Sequence, residues 1–224
     1  MCGLVAAIAK TRNGLSYRTL DAFETLLRID SLRGEDSTGV FVVNNYGNVG
    51  IGKDVGDGFS YLKDNDWKEL RGHAFNNGWA VVGHNRKATR GSVTAENAHP
   101  FWVEDKIVLV HNGSHVGPHK HLADVEVDSH AIAHVLAEAG PDGIEDGLKR
   151  VDAAYALIWY DIHNKRLNII RNAERPLAWV ETPDAFLIAS ESDMLRFATG
   201  IALASQVLPV TITEFYLLQN QSNH

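Results

Sequence analysis

Cys2 is the only cysteine in the 224-residue chain, and it directly follows the initiator Met1. Cysteine is small enough for a preceding methionine to be trimmed. Trimming would leave one residue carrying both a thiol and an α-amino group, which is a nucleophile with its own base attached. A free thiol has a pKa of about 8.5 and an α-amine one of about 7.7–8.0, so near neutral pH the amine can take the thiol proton directly or through one water. An amine serving its own side chain in this way is an established means of activating a nucleophile. The competing reading is that Cys2 is only a small residue leading into a buried strand.

Other residues have chemistry and a plainer alternative side by side. Arg86 offers a planar fork suited to a carboxylate, or is an ordinary surface arginine. Asp128 is an anionic site group, or a helix N-cap. Asn112-Gly113 supplies an amide and a backbone donor, or is a hairpin turn. His111, His115, His119 and His121 lie close together in sequence, and His130 and His134 have the i, i+4 spacing that places two ligands on one helix face. No cysteine ligand or second fixed cluster accompanies them, so solvated loop histidines are the reading taken and no metal or other cofactor is assigned.

The elements that must hold these residues follow from periodicity. Gly3 to Ala9 is an apolar run that predicts a fully buried strand with Cys2 at its tip. Leu20, Phe23, Leu26, Leu27 and Ile29 recur with helical spacing between Ser16, an expected N-cap, and Ser31. A polar glycine-containing loop over 33–39 should follow, then a hairpin of strands 40–43 and 49–53. Gly50, Gly52, Gly56 and Gly58 lack the spacing of a phosphate loop and read as turns. The segment 60–70 is expected to be helical, 79–84 a strand, and 106–111 a strand ending in Asn112-Gly113. Helices are expected over 129–139, closed by Gly140-Pro141, and around 143–149. Strands over 154–161, 166–171, 177–180, 186–190 and 214–218, with a short helix at 192–198, complete the chain. Strands outnumber helices, and a layered α+β domain with two sheets between helices accommodates the order.

Composition removes whole classes of function. The net charge is −7, from 28 acidic and 21 basic residues without a lysine/arginine block, which disfavours nucleic acid as a partner. No apolar run approaches the ~20 residues of a membrane span, and the start lacks the pattern of a signal peptide. A lone cysteine suits a reducing compartment, so a cytoplasmic location without membrane association is expected.

Six short stretches occur in a telling order. Met1-Cys-Gly3, Arg33-Gly-Glu-Asp-Ser-Thr-Gly39, Gly83-His-Asn-Arg-Lys-Ala-Thr89, Asn97-Ala-His-Pro-Phe101, His111-Asn-Gly113 and Val127-Asp-Ser129 together resemble the class II glutamine amidotransferases. The likeness is to the glutaminase domains of glucosamine-6-phosphate synthase and amidophosphoribosyltransferase, and it continues to Ser190-Glu191. It implies an N-terminal nucleophile hydrolase fold, a four-layer αββα sandwich, with residues 1–224 forming one glutaminase domain and no synthase or acceptor domain. It implies that Cys2 attacks the side-chain amide of L-glutamine to give a γ-glutamyl thioester. Asn112 and Gly113 would supply the oxyanion donors, Arg86, with Thr89 on its loop, would hold the substrate carboxylate, and Asp128 would hold its ammonium. Arg33, Gly34, Asp36 and His99 would support them.

Three departures stand out: Lys87 where relatives usually carry an aromatic, Arg90 where a histidine or small polar residue is common, and His130 where an acidic residue often stands. The first two lie on the loop expected to close over glutamine. The glutaminase likeness runs to the end of the sequence, so a separate protein is expected to accept the ammonia. The alternatives weighed are an N-terminal nucleophile hydrolase acting on another amide, a metal-binding protein, and a non-catalytic relative.

Overall fold

Leu4, Val5, Ala6, Ala7 and Ile8 are apolar without alternation, so the strand they form must be covered on both faces. The computed structural model of the protein, which describes residues 2–103, 105–115, 123–200, 206–209 and 211–217, places them accordingly. Strand β1 (Gly3–Ala9) lies inside a seven-stranded sheet, between β10 (Ala185–Ala189) and β4 (Gly78–Arg86). Beyond β4 come β2 (Ser37–Asn44) and β3 (Val49–Val55), and beyond β10 come β9 (Ala178–Glu181) and β11 (Gln206–Val207). A second, five-stranded sheet runs β12 (Thr213–Tyr216), β8 (Arg166–Arg171), β7 (Ala153–Asp161), β6 (Ile107–His115), β5 (Phe101–Val103). All the strand pairs described are antiparallel.

Strand pleating then sorts side chains into layers. Leu4, Ala6 and Ile8 of β1 join Phe41, Val82, Val108, Val110 and Ile158 in a core between the sheets. Val5 and Ala7 face the other way, onto Phe23 and Leu27 of α1 (Tyr17–Asp30), Trp67 of α3 (Asn65–Asn77) and Leu195 of α6 (Ser192–Thr199). The far face of the second sheet, with Leu109, Leu157 and Trp159, is covered by Ile132 and Leu136 of α4 (Asp128–Ala139) and Leu148 of α5 (Ile144–Lys149). Each fully buried large side chain contributes about 1.5–3 kcal/mol, and the three apolar layers make the four-layer αββα sandwich self-supporting. No helix among the described residues is long and apolar enough to cross a membrane.

Several local expectations need correction. The segment expected as one helix is two, α2 (Gly58–Tyr61) and α3, because Asp57 caps the first through Ser60 N–H at 2.8 Å and the chain restarts at Asp64. Strand β2 begins at Ser37, inside the expected loop, since Ser37 to Gly39 pair with Arg86 to His84. Asn85 and Arg86 are therefore strand residues, and so are Asn112 and Gly113, which pair with Ala156 and Tyr155 in mid-strand. The hairpin-turn alternative for Asn112-Gly113 is thereby removed. Asp128 is the first helical residue of α4 and not its N-cap, a position held by Val127.

Candidate functional site

Antiparallel pairing brings the sequence motifs to one end of the first sheet. Gly3 pairs with Asn85 and Leu4 with His84, so Cys2, at the start of β1, arrives beside Arg86 and Lys87 at the end of β4. The Lys87 backbone N–H donates to Cys2 Sγ at 3.3 Å, and the thiol can donate back to the Lys87 carbonyl at 3.5 Å. Burial pushes the Cys2 thiol above its ordinary pKa, against the Lys87 N–H and the Arg86 guanidinium, which pull it down. From the helix side, Arg33 Nε donates to the Cys2 carbonyl at 3.2 Å, and its guanidinium pairs with Glu191. The Leu4 N–H donates to Ser190 Oγ at 2.8 Å. The nucleophile candidate is thus gripped on its thiol, its carbonyl and the next residues of its strand.

Arg86 is almost wholly buried, a position an arginine takes only with partners. Its guanidinium donates to the Ser92 carbonyl at 3.0 Å and to the Arg90 carbonyl, folding the following loop back over itself. Burial lowers its pKa, while Cys2 and the carboxyl groups of Asp128, Asp36 and Glu126 act to raise it. Glu126 receives the Ser92 N–H at 2.7 Å and Asn97 Nδ2 at 2.9 Å, and these bonds hold its carboxyl down at about 2. Asp36 clamps the same loop from the other side, accepting from the Ala88 N–H at 2.7 Å and from Lys87 Nζ at 3.3 Å. Burial opposes its ionisation, yet those two donors hold it below the usual carboxylate range. Thr89 is exposed on this loop. Lys87, one of the departures on this loop, pairs with Asp36 and with Glu35 at 3.7 Å.

The second sheet meets this end through histidines. His84 Nε2 lies 2.9 Å from the His111 carbonyl, which ties β4 to β6 one residue before Asn112. His111 Nδ1 lies 2.9 Å from Ser129 Oγ, next to Asp128 at the start of α4. His99 stacks on His84 with ring centroids 3.7 Å apart, and neither ring nitrogen of His99 has a hydrogen-bond partner. Burial, reinforced by His84 and His111, drives the His99 pKa well below its usual value, and burial takes His84 to about 3. Asn112 is buried with its Nδ2 unpartnered, an available donor in a dry place. β5 pairs with β6 only at Ile107–Leu109, so Asn112 and Gly113 have a partner strand on one side only among the described residues. A Cβ on Gly113 would stand 1.8 Å from the Ala154 carbonyl oxygen, which explains the glycine without any turn.

The structure therefore gathers Cys2, Arg33, Gly34, Asp36 and Arg86 around the thiol and its loop, with Asp128 coupled to Arg86, and links Asn112 and His99 to them through His84. Asn85 and Ser129, from the stretches 83–89 and 127–129, also take part, as do Asp30 and Glu126. The only sign of Asp30 and Glu126 in the sequence is their polarity. Of the histidines considered for a metal, His119 and His121 lie outside the described residues. His130 and His134 approach with ring centroids 4.9 Å apart, and His130 stacks on Phe101. Among the described residues no group of three or more histidine, cysteine, aspartate or glutamate side chains is placed to hold a metal.

Comparison with known proteins decides the family. The family model described as "Glutamine amidotransferase domain" matches residues 84–197, just over half of the chain. The chain belongs to the class II glutamine amidotransferase family. Glutamine–fructose-6-phosphate aminotransferase of Neisseria meningitidis serogroup A is 32% identical over 219 residues, covering 90% of this chain and 34% of that protein. The enzyme of the same name from Buchnera aphidicola is 26% identical over 215 residues, covering 89% of this chain and 33% of that protein. The amidotransferase domain thus spans about a third of the length of these curated relatives. The solved glutamine phosphoribosylpyrophosphate amidotransferase from B. subtilis superposes with a TM-score of 0.69 at 18% identity, over 98% of this chain and 50% of that one. A structure titled as the allosteric regulatory enzyme of purine biosynthesis gives 0.70 at 19% identity, with the same coverage. These likenesses establish the N-terminal nucleophile hydrolase fold, and the family membership makes this a glutamine-hydrolysing type of domain.

Proposed function

We propose that the mature chain begins at Cys2 and hydrolyses L-glutamine to glutamate and ammonia through a γ-glutamyl thioester on that residue. The observation that carries the reading is the Cys2 thiol held against the Lys87 backbone beside the buried Arg86. The thiol passes its proton to the freed α-amine and attacks the side-chain carbonyl carbon. The oxyanion takes a hydrogen bond from Asn112 Nδ2, the unpartnered donor, and another from the Gly113 N–H. Collapse breaks the C–N bond, the α-ammonium returns the proton to the departing nitrogen, and ammonia leaves. Water then cleaves the thioester, releasing glutamate and restoring the thiol. Arg86 pairs with the substrate α-carboxylate and Asp128 with its α-ammonium, opposite charges that select a free α-amino acid. Thr89 sits on the covering loop, and Arg33, Gly34, Asp36 and His99 hold the frame.

Ammonia set free would be lost, so the proposal includes an acceptor, assigned to a separate protein. Intact mass of active protein tests the processing, and a glutamine-like electrophile tests the nucleophile. Mass should show a chain starting at Cys2, modified at Cys2 alone and inert as Cys2→Ala. Full activity with Met1 retained would overturn the mechanism. The acceptor is tested by which protein co-purifies with the native chain and raises its turnover.

A further inference from the structure

Asp30 closes α1 and is fully buried, yet no hydrophobic surface asks for a carboxylate there. Its carboxyl group fills the space where a side chain on Gly3 would sit, with Oδ1 only 1.8 Å from that imaginary Cβ. It therefore lies against the backbone one residue from the nucleophile, a step of roughly 3.8 Å along a trans chain. Asp30 Oδ2 accepts from Asn85 Nδ2 at 3.0 Å, whereas Oδ1 has no hydrogen-bond partner and only Arg33 Nε at 3.9 Å. A buried acceptor oxygen left empty keeps its full desolvation penalty, and a charged one all the more. Removal of Met1 turns the single N–H of Cys2 into an amine, which as an ammonium has three donors.

We propose that the Asp30 carboxylate is the hydrogen-bond acceptor for the Cys2 α-amine in the mature chain, a positioning residue that aims this base at the thiol and holds its proton. The inference rests on the assignment of Cys2 as an N-terminal nucleophile. In the attack step the thiol proton moves to the amine, and the new ammonium is paired with Asp30. The same proton then leaves on the nitrogen of the departing ammonia, and Asp30 remains a carboxylate throughout.

The groups facing this pair are few. Arg33 approaches from the turn after α1, the Cys2 thiol from β1, and the neutral Asn85 from β4. Arg86 acts on the thiol from the end of β4, and Glu191, ahead of α6, occupies the other side of the Arg33 guanidinium. Burial lifts Asp30 to about 7, within reach of the ~7.7–8.0 of an α-amine, so amine and carboxyl titrate as a coupled pair. A carboxylate beside an ammonium makes its last proton harder to remove.

The test is the pH dependence of kcat/KM for glutamine in the mature wild type and in Asp30→Asn, a substitution that keeps the shape and the bond from Asn85. Activity requires the neutral amine, so removing the carboxylate should move the acid limb about one pH unit lower and reduce turnover at the optimum. An unmoved acid limb would overturn the inference even if turnover fell, because loss of packing alone does not shift that limb. The 15N resonance of the Cys2 amine in wild-type protein gives a second reading that needs no variant. Two coupled steps are expected, and a single step would overturn the assignment. Failure of Cys2 labelling would instead count against the nucleophile, which the amine titration reads independently.

Discussion

Gly34 and Arg86 meet backbone to backbone: a Cβ on Gly34 would stand 2.5 Å from the Arg86 carbonyl carbon and 2.7 Å from the Lys87 nitrogen. That nitrogen is the one donating to the Cys2 thiol, so the width of a methyl group separates a held nucleophile from a displaced one. Gly34→Ala should cost about 1–3 kcal/mol as an overpacked contact. Labelling of Cys2 by a glutamine-like electrophile should slow at least tenfold. Urea unfolding and labelling kinetics check the two effects, and wild-type labelling in this variant would show that Lys87 does not steer the thiol.

The proposed substrate clamps and oxyanion donor should separate kinetically. Arg86→Lys and Asp128→Asn each leave a substrate charge poorly matched in a desolvated pocket, so KM for glutamine should rise strongly. Asn112→Ala removes a donor used as charge develops and should lower kcat by about 10²–10³ with KM little changed. Steady-state kinetics on the three variants distinguish the roles. An Asn112→Ala enzyme with weakened binding and intact turnover would exclude the oxyanion assignment.

Acid should destabilise the fold through histidines that packing shields from water. Burial lowers His84 to about 3, His130 to about 4, and His99 well below 6.5. The unfolded chain binds these protons first, so the stability they contribute is complete above about pH 6.5 and is lost as pH falls from there towards their folded values. Each pH unit in that window should cost up to about 1.4 kcal/mol for each of the buried His84 and His99, and less for the partly exposed His130. Urea unfolding at pH 7 and pH 5 checks the slope. An unchanged midpoint would mean that these rings are solvated.

The two anchors of the covering loop should differ in weight. Lys87 is exposed, and its ion pairs with Asp36 and Glu35 stand in solvent, where screening leaves such pairs little weight. Lys87→Ala should therefore leave the unfolding midpoint nearly unchanged. Asp36→Ala removes the acceptor for the Ala88 N–H, and should raise KM for glutamine by loosening the loop that carries Arg86's partners. Equal effects of the two changes would assign the anchoring to the ion pair.

The frame of the protein is local information, and that is why β1 and α1 could be placed from sequence alone. Continuous apolar residues from Leu4 to Ala9 can only be an interior strand, and Ser16 caps α1 by accepting from the Thr19 N–H at 3.1 Å. Asn112-Gly113 leaves a hairpin turn open in the sequence because the dipeptide is a strong hairpin signal, whereas the reason for the glycine is the Ala154 carbonyl, 41 residues on. The contact of Asp30 with Asn85 is hidden from the sequence for the same physical reason. Their bond joins residues 55 apart in sequence, through a pairing of β1 with β4 that no periodicity encodes. The two-residue β11 carries too few side chains to show a pattern.

The place of β1 between β4 and β10 has a consequence for the order in which a ribosome delivers the parts. Everything from Lys10 to Asp184 must be synthesised before Ala185 to Ala189 can close the second flank of the nucleophile's strand. At 5–20 residues per second that is roughly 10–40 s. Throughout that interval the strand that follows Cys2 lacks its second neighbour, and Cys2 is without its final setting. A chain cut short before Ala185 should therefore carry the Cys2 thiol without the strand that completes its surroundings.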